Sequence, residues 1–144
     1  MAKQVIPNLV PPAHELKAAE DITSPIEVLK IQAKHWTEQT GGEVVGEVEP
    51  TTQSAPNRFA YWFGFVVPAL NGYRYRLFLV EHGIEFYPLL IARKRGDGDA
   101  VEVEDEEQYY NELHKRFSAA ETLAVVRKLR ALVAENRAAA QAKG

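Results

Sequence analysis

The segment NGYRYRLFLVEHG, Asn71 to Gly83, sets Arg74 and Arg76 in alternation with Tyr73 and Tyr75 at the head of an apolar run. A guanidinium is a permanently charged, planar fork of five donors, suited to carboxylate or phosphate and to stacking on an aromatic ring. Spacing of two on a strand puts both arginines on one face of a sheet. The chemistry on offer is therefore anion recognition and aromatic stacking, displayed on a flat β surface.

Other residue types with chemical potential lack the spacing they need. His14, His35, His82 and His114 are dispersed and form no HExxH or similar ligand pattern. His82, next to Gly83, reads as a solvent-exposed turn residue, and His35 as a helix-surface position. The acidic run from Asp97 to Glu107 lacks the alternating order of a calcium loop and reads as a solvated charge run leading into a helix. Arg95-Gly96-Asp97 spells RGD, a three-letter motif with no weight here. Gly41-Gly42 and Gly96-Gly98 are turn glycines, since neither forms a P-loop or a GxGxxG fingerprint. With 0 cysteines there is no disulfide framework and no thiolate nucleophile or ligand. No catalytic residue, metal or cofactor is expected. The missing motifs weaken the enzyme reading without closing it, because sites assembled from distant residues leave no local signature.

The elements that must carry Arg74 and Arg76 follow from periodicity. Residues 1–22 mix Pro7, Pro11 and Pro12 with scattered charge and read as an extended arm. Residues 23–139 then form a single α+β domain, with 140–144 as a frayed tail. TSPIEVLKIQAKHWTEQTGG has Ser24 as N-cap, Pro25 at the first helical position, Glu27 closing a capping box and Gly41 as a stop. Its stripe is Ile26, Leu29, Ala33, Trp36 and Thr40. EVVGEVEP is a first strand and TTQSAPN a loop. RFAYWFGFVV and YRYRLFLVE are joined by PALNG, and IEFYPLLIA follows across His82-Gly83 as a tight hairpin. RKRGDGD is a charged turn and AVEVE a short edge strand. Two helices close the chain. The first carries Tyr110, Leu113 and Phe117 on one side. The second is capped by Ser118 and Glu121 and striped by Thr122, Val126, Leu129 and Val133. The fold expected is a helix, an antiparallel meander of four strands with a possible fifth, and two C-terminal helices.

Register turns this into faces. With Val67 opposite Tyr73 and Glu81 opposite Ile84, one face carries Phe59, Tyr61, Phe63, Phe65, Val67, Tyr75, Leu77 and Leu79, for the helices to cover. The opposite face aligns Trp62, Phe78 and Tyr87 in a row, with Arg74 and Arg76 beside them and Arg76 opposite Gly64. A bulge in the first loop would change the partners across it.

Aromatics mixed with arginine are the composition of an interface rather than of a solvated face. Three readings compete. In the first, the N-terminal arm or the C-terminal helix covers the face and the arginine heads reach its edge. In the second, the face meets a protein partner or a second copy. In the third, it is a stacking site for a ligand with arginine at the anion.

A net charge of -3 and a pI near 5.8 argue against nucleic acid. No apolar run spans a bilayer and the N-terminus has no secretory h-region, so a cytoplasmic protein is expected. The functional expectation is a non-enzymatic interaction or homodimerisation module using Trp62, Arg74, Arg76, Phe78 and Tyr87. The alternative is a binder of a small anionic molecule, or an enzyme, with its pocket between sheet and helix.

Overall fold

The computed structural model describes residues 5–52, 56–94 and 98–143. Along the chain run α1 (Pro25–Gln39), β1 (Val45–Thr51), β2 (Phe59–Val67), β3 (Tyr73–His82), β4 (Leu89–Ala92), β5 (Val101–Val103), α2 (Glu106–Ser118) and α3 (Ala120–Lys143). The strands form one antiparallel sheet in sequential order, β1 to β5. An N-terminal helix, a five-stranded meander and two C-terminal helices make the α+β domain that the periodicities predict. The RGD triplet lies outside the described residues, as do parts of the TTQSAPN and RKRGDGD segments.

Helix α1 starts as its cap residues dictate, with the Ser24 hydroxyl accepting from the Glu27 N–H. Val28, Leu29 and Ala33 are buried against the sheet, and Trp36 sets its ring edge-on to Phe65 at 5.1 Å. The approach is close because β1 offers Gly46 at the crossing. A Cβ there would collide with the backbone of Ala33. At the helix end the buried Thr40 hydroxyl donates to the Val44 carbonyl (2.8 Å) and accepts from the Val44 N–H (3.2 Å).

Helix α2 packs Tyr109 and Leu113 inward, with Phe117 between Phe63 and Phe78 at 5.1 and 5.8 Å. The buried side begins at Tyr109 and not at Tyr110, which is half exposed and hydrogen-bonded to Glu106. The second capping box is also absent. Ser118 is the last residue of α2, the chain breaks for the single residue Ala119, and the Thr122 hydroxyl reaches back to the Arg116 carbonyl at 2.6 Å. The stripe of α3 is Thr122, Val126, Leu129 and Val133, all buried, and the helix continues to Lys143. All these helix contacts fall on one side of the sheet, where Phe63, Phe65, Val67, Phe78, Val80, Leu89, Ile91 and Val103 form the core with them.

Two register findings correct the expected faces. At the hairpin tip the pairs are those predicted, Val67 with Tyr73 through Gly64 with Arg76, but a bulge then makes Phe63 partner Phe78. Leu77 is the extra residue. From there on, every β3 side chain changes face relative to an unbroken ladder. The second correction is the tight hairpin at His82-Gly83. His82 pairs with Leu89, so residues 83–88 form a loop and only the last four of the nine residues expected in the strand belong to it. Phe86 takes φ 69°, and Pro88, which follows a cis peptide, has no N–H to give a ladder.

Candidate functional site

The face away from the helices is built from three strands. On β1 stand Glu47 and Glu49, on β2 Trp62 and Gly64, and on β3 Arg74 and Arg76, with Glu47, Gly64 and Arg76 in one row and Glu49, Trp62 and Leu79 in the next. The Arg74 guanidinium donates to the Glu47 carboxylate at 2.5 Å, and Arg76 reaches Glu49 at 3.7 Å. Both pairs cross over β2. Gly64 leaves the space for that crossing, and Arg76 lies over the Trp62 ring with its guanidinium 5.0 Å from the ring centre. The Glu47 hydrogen bond also raises the pKa of Arg74, reinforcing a charge it holds at any ordinary pH.

Gly64 is required for a second reason. The bulge brings the Tyr75 carbonyl against the position a Cβ would occupy there. The result is a shallow depression of about 720 Å³ lined by Glu47, Glu49, Trp62, Arg74 and Arg76 above the backbone of Gly64. Further along the same face Ala60, Leu79 and Ala92 are buried although α1, α2 and α3 pack on the other side, beside an Arg58–Glu81 ion pair at 3.1 Å.

Of the five residues expected at the site, three meet on this face: Trp62, Arg74 and Arg76. Phe78 does not, because the Leu77 bulge turns it inward, where it is 0% exposed and packs on Phe63 and Phe117. Tyr87 does not either. It lies in the loop before β4 and meets Tyr109 edge-on at 6.2 Å on the helix side, where burial, with help from Glu106, pushes its hydroxyl up to about 12. Residues 5–22 are exposed throughout and α3 packs on the other side. Neither residues 5–22 of the arm nor the C-terminal helix covers the face.

The chain matches no protein-family model, no curated protein and no solved structure.

Glu47 and Glu49 were not among the residues expected at the site. Their alternation in EVVGEVEP marks them as outward-facing, but which residues of β2 they oppose depends on the loop between the two strands. His82 likewise departs from expectation. It is the last residue of β3, 3% exposed, and lies among the rings of Phe59, Tyr61 and Phe86 at 5.4, 5.7 and 5.6 Å. Its Nδ1 donates to the Gly83 carbonyl at 2.7 Å, while Nε2 is buried with no hydrogen-bond partner. Burial lowers its pKa, and the nearby Arg58 lowers it further against the opposing effect of the Gly83 bond. Among the described residues no group of three His, Cys, Asp or Glu is placed to hold a metal ion.

Proposed function

We propose that this protein is a non-enzymatic, cytoplasmic interaction module that self-associates through the Trp62, Arg74, Arg76 face. The observation that carries this reading is the charge layout. An acidic stripe rooted on β1 and a basic stripe rooted on β3 flank an aromatic centre on β2, the two strands about 10 Å apart and the charged heads meeting above it. A two-fold axis lying along β2 in the contact plane would set each acidic stripe over the partner's basic one. Such a surface is self-complementary, as an isologous contact requires. The lack of cysteine fits a reducing compartment.

A small anionic ligand is the second reading, favoured by the depression beside Trp62 and the two arginines. It would have to displace Glu47 and Glu49 from guanidinium groups they already occupy.

Light scattering across a concentration series tests the first reading. Arg76→Glu and Trp62→Ala should each shift the protein to monomer. The full exchange, Glu47→Arg and Glu49→Arg with Arg74→Glu and Arg76→Glu on one chain, should restore the dimer, since it swaps the stripes and keeps them complementary. A wild type that is monomeric at every concentration, or a dimer indifferent to all three changes, rules the reading out.

A further inference from the structure

Residues 5–22, before α1, are rich in apolar side chains yet stand exposed. Val5, Ile6, Leu9, Val10, Leu16 and Ile22 are each more than half exposed. The same stretch carries Pro7, Pro11 and Pro12; Pro12 takes polyproline II values (φ -59°, ψ 154°) just before a short 3-10 turn, Ala13–Leu16. Proline fixes its own φ and biases the residue before it towards extended backbone, so Ile6-Pro7 and Val10-Pro11-Pro12 have less conformational freedom to lose on docking than an ordinary loop.

On the helix side of the sheet a groove of about 360 Å³ opens between the β2–β3 hairpin tip and α3. Its lining is Leu70, Tyr73, Tyr75, Val125, Leu129 and Leu132, with Lys128 contributing the charge. Tyr73 and Leu132 are 50% and 48% exposed. Two tyrosines on an otherwise apolar wall are the lining that proline-rich segments dock against.

We propose that this groove receives residues 5–12 of a second copy of the chain, each protomer lending its arm to the other. Three observations choose the occupant. The described arm is an apolar segment of the chain that stands largely exposed. Its prolines match an aromatic groove. Glu15, three residues beyond Pro12, supplies the carboxylate that Lys128 calls for. The choice of a second copy over the protomer's own arm rests on the lone chain. It contains everything a contact in cis needs, yet arm and groove both stand exposed. Reciprocal exchange is isologous and closes at two protomers. The groove lies on the opposite side of the sheet from Trp62, so this contact is separate from the sheet-face contact proposed above.

Since the chain has no cysteine, a nitroxide attached through Asn8→Cys is a single reporter. In a mixture of spin-labelled protein and isotope-labelled protein lacking the nitroxide, the amides of Tyr73, Tyr75 and Leu132 should broaden, which only contact between molecules produces. A synthetic peptide of residues 5–16 should bind a variant lacking residues 1–12 with shifts confined to the groove. Leu132→Glu should weaken that binding about tenfold or more. Lys128→Glu, a surface change that leaves the core intact, should weaken it a few-fold, with recovery when the peptide carries Glu15→Lys. Broadening that arises only within one molecule, peptide shifts elsewhere, or no binding at about millimolar peptide would each overturn the exchange. Trp62→Ala separates the two contacts: it removes the sheet-face contact and leaves groove binding by the peptide unchanged.

Discussion

His82 makes one hydrogen bond, to the Gly83 carbonyl, and a carbonyl can only accept, so Nδ1 carries the proton and Nε2 holds a lone pair among aromatic rings. Protonation would place a second N–H there with no acceptor, beside the cation of Arg58. The fold therefore favours the neutral ring and holds the folded pKa below the ordinary value of about 6.5. As pH falls below about 6.5 the unfolded chain takes up the proton first, and stability, complete above that pH, is lost progressively towards the lower folded value. Melting temperature measured from pH 7 to 5.5, above the range of ordinary carboxylates, should decline in the wild type. His82→Phe should flatten that decline, and an unchanged slope would show that His82 is not its source. On the outer face the expectation is different. Arg76 is more than half exposed, so Arg76→Ala should cost no more than about 1 kcal/mol in urea unfolding. Its effect on self-association should be far larger, which separates a surface role from a structural one.

At the scale of elements, the Leu77 bulge and Gly64 are one device. The extra residue pushes the Tyr75 carbonyl towards β2, and only a residue without a Cβ accommodates it. Gly64→Ala should therefore destabilise by about 1–3 kcal/mol. Deletion of Leu77 removes the extra residue while leaving Arg76 opposite Gly64 and Phe78 opposite Phe63. The Gly64→Ala penalty should shrink in that background, read as a coupling energy in a double-mutant cycle. Equal penalties in both backgrounds would mean that the close contact has another origin. The join between α1 and β1 is a second device. Thr40→Val removes the hydroxyl that serves both polar groups of Val44, so it should cost about 1–3 kcal/mol. A loss of only a few tenths of a kcal/mol would place that junction within reach of water.

For the whole molecule, five strands in sequential order with every helix on one side leave the second face to its own side chains. That face is closed over in part by ion pairs that cross β2 and by a guanidinium lying on Trp62. An association built on such charges is screened by salt, with a Debye length of about 10 Å at 0.1 M and 3 Å at 1 M. Sedimentation equilibrium should show the dimer weakening steadily between those concentrations. Association that tightens with salt instead would point to an apolar contact and away from the charged stripes.

Element order and type were legible in the chain because each rests on local signals: Ser24-Pro25-Glu27 for α1, period-two runs for β2 and β3, Asn71-Gly72 for the hairpin, and the spacing of Val126, Leu129 and Val133 for α3. The alternation of Arg74 and Arg76 likewise placed both on one face with Trp62, since the hairpin tip keeps its expected register. Phe78, Tyr87 and His82 were decided only by the tertiary structure. A bulge depends on what the facing strand tolerates, here Gly64, and the course of residues 83–88 depends on where β4 can pair. Each shift by one residue reverses the side on which every following residue stands. Glu47 and Glu49 joined the arginines for the same reason, through a strand pairing that no local pattern specifies.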